Sequence, residues 1–289
     1  MTNCAGVVLA GGRSSRMGTP KSALAWHGST LLRRTVAIAA RATAGPVVVV
    51  RASGQDLPDL PRGTVVVDDP RAGKGPLQGI AAGLAALAGQ AETAFVASTD
   101  LPFLHPAFIG LVLRALSEEG TDVALPVALG HQQPLAAGYR TSLAETAERL
   151  VSDGRLRPAF LFGQCTVTRL DDACLRHDPV LAALDPCLDS LLNVNDRDDY
   201  QAALARPAPE VTVTFGRALA AAGRPSGPLT VRAATVRAAA EAAGLAFGPQ
   251  VLAALNGGQI TADGETPLVT GDGVAFLAAG AGWRPHVRP

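Results

Sequence analysis

Residues 9–24 read LAGGRSSRMGTPKSAL and begin where the apolar run AGVVLA (residues 5–10) ends. A short apolar run bounded by glycines reads as a buried strand. Glycines after a strand let backbone N–H groups come close to an anion, and a following helix N-terminus adds a favourable dipole. The chain contains two lysines, Lys21 and Lys74, against 23 arginines, and one of the two lies in this loop. Lys21 supplies a compact charge and Arg16 a planar fork suited to phosphate oxygens. The loop therefore reads as a polyphosphate cradle, with a solvated surface loop as the alternative on composition alone. It is not GxGxxG, because the glycine spacing of GGRSSRMG is wrong. It is not a P-loop, because Thr19 and Pro20 separate Gly18 from Lys21.

Working outward, strand and helix patterns alternate. Val-rich runs at PVVVVR (46–51), TVVVD (64–68) and TAFVAST (93–99) predict strands. STLLRRTVAIAARA (29–42), PLQGIAAGLAALA (76–88) and HPAFIGLVLRALSEEG (105–120) predict helices, the first capped by Ser29 or Thr30, the second opened by Pro76 and the third ended by Gly120. Such alternation predicts an α/β fold, a Rossmann-like doubly wound and mostly parallel sheet, over residues 1–205. Ligands of these folds bind beyond the carboxyl ends of the strands, where the opening loop, DDPRAGKG (68–75) and TDLPF (99–103) all fall. The Pro-containing stretch ARPAPE (205–210) predicts a linker. Beyond it VTVTF, PLTV, VLAALNG and VAFLAAG read as strands and TVRAAAEAAG as a helix, predicting a small α+β domain over residues 210–289.

The chain has 289 residues, 48% of them hydrophobic, and equal numbers of basic and acidic side chains, 25 each. Nothing in that balance draws it to nucleic acid or an anionic membrane. Four scattered cysteines without a CxxC pair predict neither a disulfide framework nor a zinc site, but mostly buried thiols in a reducing, cytoplasmic setting. No targeting segment and no membrane-spanning run is read from the sequence.

Five segments, in order, carry a family resemblance. LAGGRSSRMGTPKSAL closely resembles the LAGGxSxRMGxxKxxL signature of the nucleotidyltransferases that handle molybdopterin. GPLQGI (75–80) is similar to their GPLAGI, STDLPF (98–103) to their Asp-containing strand end, HQQPLAAGY (131–139) to the Pro-containing strand after it, and NVNDRDDY (193–200) to their NxNTPEDL. The family is that of the molybdenum cofactor guanylyltransferases, with cytidylyltransferase relatives close behind. The resemblance implies transfer of GMP from GTP to the phosphate of molybdopterin, with pyrophosphate leaving and Mg²⁺ as the cofactor. It implies Lys21, Arg16 and Asp100 as the catalytic set and Asp100 as the metal ligand. It places Leu9, Ala10, Gly11, Gly12, Lys21, Asp69, Gly75 and Asp100 on the nucleotide, and Asn193 and Asn195 on molybdopterin. Asp68 beside Asp69 leaves that register open by one, and Asp100 by type alone also reads as a turn or capping residue. Two departures stand out: Arg51 where these enzymes often carry Asn, and Gln78 for the usual Ala, its amide facing either ligand or solvent. Lys74 fits a phosphate contact, and His131 reads as structural. Alternatives are CTP as donor, another transferase of the same fold, or a non-catalytic carrier or scaffold for molybdopterin.

NGGQITADGETPLVTGDGVAFLAAGAG (256–282) resembles the ubiquitin-like sulfur carriers of molybdopterin and thiamine biosynthesis, which implies a β-grasp domain. Those carriers work through a free terminal Gly-Gly. Here Trp283 stands where the second glycine belongs and six residues follow, so a stability role or docking to other cofactor-biosynthesis or molybdoenzyme-delivery proteins is expected rather than sulfur transfer.

Overall fold

The computed structural model describes residues 3–11, 20–71, 73–225 and 227–279. Contacts divide the chain into two compact units, residues 1–203 and 204–289. In the first, β1 (Cys4–Leu9) is followed by a small hairpin, β2 (Ala25–Trp26) and β3 (Ser29–Thr30), and by α1 (Leu31–Ala42). Then come β4 (Val47–Ala52), β5 (Val65–Asp69), α2 (Pro76–Ala86), β6 (Thr93–Ser98), α3 (Pro106–Glu118), β7 (Val123–Ala128), β8 (His131–Gln132) and β9 (Ala136–Arg140). The unit closes with α4 (Ala144–Ser152), α5 (Pro158–Phe162), β10 (Val167–Asp171), α6 (Asp172–His177), α7 (Pro179–Leu184) and α8 (Arg197–Leu204).

The main sheet runs β10-β7-β9-β6-β1-β4-β5, with β8 paired to β7. Neighbours are parallel except β9, antiparallel to both β6 and β7, and the β7–β8 pair. The chain steps from β1 out to β4 and β5, then returns to β6 on the other side of β1. That reversal is a topological switch point, where such folds open a crevice.

Alternation along β1 explains the double winding. Ala5, Val7 and Leu9 pack with Leu77, Ile80 and Leu84 of α2, whereas Val8 joins Leu32, Val36 and Ala39 of α1 on the opposite face. Thr30 caps α1 by accepting from Arg33 N at 3.3 Å, which selects between the two capping residues read from sequence. Glycine brings α2 close to the sheet: a Cβ on Gly83 would lie 2.3 Å from Val7 Cγ1 and 3.2 Å from Val50 Cγ2. Gly83→Ala therefore overpacks a rigid β-branched contact, a fault that costs about 1–3 kcal/mol and outweighs the ~1 kcal/mol gained in helix propensity. The midpoint of thermal unfolding is expected to fall by several degrees, whereas Gly110→Ala on α3, whose Cβ would meet nothing within 4 Å, leaves it unchanged or raised.

The cysteines correct one expectation. None is buried: Cys174 and Cys187 are exposed, Cys4 and Cys165 partly so, and all four are free. Cys174 lies in α6, and Cys187 in the irregular run after α7, both on the outer layer of the unit. Burial pushes the Cys165 thiol up to about 11, with the Asp122 charge adding to it, so it is a poor nucleophile at neutral pH. Among the described residues no helix is long and apolar enough to cross a membrane.

The second unit contains β11 (Glu210–Phe215), α9 (Arg217–Ala221), β12 (Leu229–Arg232), α10 (Val236–Ala242), β13 (Val251–Leu255), β14 (Gln259–Thr261) and β15 (Gly273–Ala278). Its sheet order is β12-β11-β15-β13-β14, with β11 and β15 parallel at the centre and the other pairs antiparallel. Val236, Ala239 and Ala240 of α10 pack into one core with Val213, Leu255, Val274 and Phe276 of the sheet. Sequence patterning missed α9 and β14; the latter is three residues long beside NGG, too short for alternation to register. Trp283 and the rest of the tail lie outside the described residues.

Candidate active site

A cleft of about 450 Å³ opens at the carboxyl ends of the central strands. Leu9, Val50, Asp69 and Ser98, at or near the ends of β1, β4, β5 and β6, all line it, and Gly73, Gly75, Pro76 and Gly79 bring in the start of α2. Strand register makes this convergence necessary: Leu9 stands opposite both Val50 and Ser98, and Ala52 opposite Asp69. Of the residues predicted for the nucleotide, Leu9, Ala10, Gly11, Lys21, Asp69, Gly75 and Asp100 line this one cleft. Gly12 and Arg16 lie outside the described residues.

Lys21 opens a short 3₁₀ turn (Lys21–Ala23), and its Nζ donates to Asp100 Oδ2 at 3.1 Å. Ser98 Oγ donates to Asp100 Oδ1. Each carboxylate oxygen thus keeps a lone pair for a further partner. Both Lys21 and Asp100 are about one-fifth exposed, reachable from the cleft but screened from bulk water. Thr99 Oγ1 donates to Leu9 O at 2.8 Å and ties the end of β6 to the end of β1.

Asp68 and Asp69 differ in their partners. Arg51 Nε donates to Asp68 Oδ1 at 2.7 Å and its NH1 to Gln55 O at 3.1 Å, so both side chains are engaged outside the cleft. Asp69 is the one on the cleft wall, its Oδ1 accepting from Arg71 N at 2.9 Å. Gly75 adopts φ +81°, and a Cβ there would sit 3.1 Å from Leu156 O, so only glycine fits. Gln78 is fully buried, which excludes the solvent-facing alternative. Lys74 is exposed beside the cleft, and His131 pairs in the β7–β8 hairpin.

Asn193 and Asn195 do not line the cleft, yet the fold delivers them to its edge. Val194, buried between them, donates its N–H to Asp100 O at 2.9 Å. Asn193 and Asn195 flank it as exposed side chains.

Sequence reasoning missed Gln55. Its Nε2 donates to Ala10 O and Ser22 Oγ, both at 3.1 Å, and its Oε1 accepts from Ala52 N at 3.0 Å. One amide thereby fixes the glycine loop's first residue, the turn carrying Lys21 and the end of β4. Nothing in GQDLP signals this; only the fold brings positions 10, 22 and 52 together. Gln55→Ala is expected to lower any Lys21-dependent turnover roughly tenfold, in keeping with the loss of several hydrogen bonds at one point. Lysine placement, read from a crystal structure of the variant, checks the cause.

Among the described residues no group of three or more His, Cys, Asp or Glu side chains is placed to hold a metal. Among the described residues of the cleft, Asp100 pairs with Lys21 and Asp69 lines the wall. Mg²⁺ usually keeps several waters and binds through one or two carboxylates plus substrate phosphates, so this donor set fits a metal that arrives with a nucleotide.

Residues 6–167 match the profile of the MobA-like NTP transferase domain. The chain belongs to the MobA-like NTP transferase family. It is 39% identical over 153 residues, 52% of this chain and 76% of the relative, to the "Probable molybdenum cofactor guanylyltransferase" of Mycobacterium avium. The protein of that name from Mycobacterium tuberculosis is 38% identical over 169 residues, 57% of this chain and 82% of its own length. Among solved structures, molybdopterin-guanine dinucleotide biosynthesis protein A from Archaeoglobus fulgidus superposes with a TM-score of 0.55 at 23% identity, covering 69% of this chain and 96% of that one. That likeness shows a shared fold. The matched residues take in most of β1, with Lys21 and Asp100, and leave the whole second unit outside.

Proposed function

We propose that this protein transfers GMP from GTP to the terminal phosphate of molybdopterin and releases pyrophosphate, as a cytoplasmic enzyme of molybdenum cofactor maturation. The observation that carries the reading is the Lys21–Asp100 pair at the switch-point cleft, with the Asn193–Asn195 segment bonded to the Asp100 backbone. The relatives' names supply the substrate class.

The attacking group is already a phosphate anion, so the chemistry needs positioning and charge neutralisation rather than a strong base. Lys21 turns its ammonium from Asp100 to the triphosphate and steadies the charge that builds on the leaving pyrophosphate. Asp100 would hold Mg²⁺, which would supply charge neutralisation to the phosphate groups. The backbone of Leu9–Gly12 and the Gly75 turn admit the nucleoside, with Arg16 supporting the phosphates and Asp69 facing the nucleoside end. Asn193 and Asn195 orient the acceptor.

The domain assignment is a nucleotidyltransferase domain at 1–205 and a β-grasp domain at 210–289. The latter is supported by a five-stranded mixed sheet with a parallel central pair and α10 packed against it. We assign it to docking of partner proteins. The test of the activity is pyrophosphate release from the full chain incubated with Mg²⁺, molybdopterin and each of the four nucleoside triphosphates in turn. Release with GTP alone is expected, and its abolition by a chelator supports the metal. Release with CTP instead, or none with any triphosphate, overturns the reading.

A further inference from the structure

Three pieces of chain meet around the Lys21–Asp100 pair, and each is tied to the other two. The turn that carries Lys21 runs through Leu24, whose N–H returns to Lys21 O at 3.2 Å, into β2. Trp26 of β2 is buried and meets the ring of Phe103 edge-on, with centroids 5.5 Å apart, which joins β2 to the loop after Asp100. Val194 N donates to Asp100 O at 2.9 Å, which joins that loop to the 193–195 segment. The third tie is made by Tyr200 of α8, whose hydroxyl donates to Ala25 O in β2. Burial pushes that phenol up from its ordinary value, so the hydroxyl keeps its proton as a donor. In the NxNTPEDL pattern that NVNDRDDY resembles the last residue is Leu, which has no hydroxyl, so this tie belongs to the chain's own sequence.

The stretch from Asn195 to Tyr200 is locked into one piece. Asn195 N donates to Asp199 Oδ2 and Asp199 N to Asp196 Oδ1, both at 2.9 Å, and Tyr200 N donates to Asp196 O at 3.1 Å. These bonds fix the first turn of α8 as reciprocal caps do. A ligand held by the exposed Asn195 side chain therefore bears, through α8 and the Tyr200 hydroxyl, on Ala25, which follows the Lys21 turn directly after Leu24. A triphosphate that draws the Lys21 ammonium from Asp100 breaks the direct tie between turn and loop. Tyr200 then still holds the turn from the acceptor side.

Resting on the nucleotidyltransferase reading above, we infer that Tyr200 is a positioning residue that couples the acceptor segment to the turn carrying Lys21, so that acceptor on Asn195 and triphosphate on Lys21 strengthen each other's binding. Such coupling is reciprocal, so it is read from either ligand. Calorimetry on the full chain gives the affinity for a GTP analogue whose α,β-bridging oxygen is replaced by methylene, which prevents transfer, with and without saturating molybdopterin. Two variants are measured beside it: Tyr200→Phe, which keeps the ring and loses the hydroxyl, and Asp199→Ala, which frees Asn195 from α8. Molybdopterin is expected to tighten analogue binding roughly fivefold or more in the wild type. In both variants that factor falls to near one, while affinity for the analogue alone is unchanged. A factor that persists in either variant overturns the inference. So does weaker binding of the analogue alone in Tyr200→Phe, which would make the hydroxyl a support of the fold and no more. A wild-type factor of one overturns the inference and leaves the nucleotidyltransferase reading standing, whereas wild-type protein that does not bind the analogue overturns both.

Discussion

Asp100→Asn is expected to lower GMP transfer by roughly 10²–10³-fold, the range seen when a single electrostatic stabiliser is removed from a preorganised site. The substitution keeps the shape of the side chain and leaves an oxygen to accept from either Ser98 or Lys21, so the folded structure persists. It removes the negative charge that a hard divalent cation requires. Stability changes modestly, because Asn keeps a hydrogen-bond acceptor in place and the Lys21 ammonium, about one-fifth exposed, still reaches water from the cleft. Steady-state pyrophosphate release at saturating GTP, beside a thermal melt, checks both halves. Near-normal turnover with Mg²⁺ still required would place the metal on another residue.

Lys21→Ala has the second large effect. A compact ammonium that contacts the triphosphate acts in the ground state and more strongly as charge moves onto the leaving pyrophosphate. The expected outcome is weaker GTP binding together with a loss of roughly 10²-fold or more in kcat, measured by calorimetry and by turnover. Lys21→Arg should restore only part of it. The guanidinium is wider and planar, and Lys21 sits on a turn held in place by Gln55 through Ser22. Full rescue by Arg would mean that the position needs no more than a positive charge.

Much of this was legible in the sequence, for physical reasons that can be named. The Val-rich runs became β4, β5 and β6 because continuous apolar runs are what strands buried by α/β packing look like. Lys21, Asp69 and Asp100 were named on the family resemblance, and all three line the one cleft beyond the sheet. What stayed hidden depends on contacts between distant positions. Gln55 is an ordinary turn residue until Ala10 and Ser22 are folded around it. Arg51 stood out only as a departure from the family's usual Asn, and its pairing across β4 and β5 with Asp68 became visible only with the register. The cysteines failed for another reason: residue type predicts burial only on average, and Cys174 and Cys187 lie on the outer layer rather than in strands.

The hydrogen bond from Val194 N to Asp100 O also sets an order in time. Every element of the donor side, from β1 through β6 and the Asp100 turn, leaves the ribosome before any residue of the 193–195 segment. Chains grow at roughly 5–20 residues per second and N-terminal parts fold first, so seconds separate the two. During that interval the nascent chain holds Lys21 and Asp100 without the segment that closes over the Asp100 backbone, and the proposed nucleotide half of the cleft is complete before its acceptor half exists.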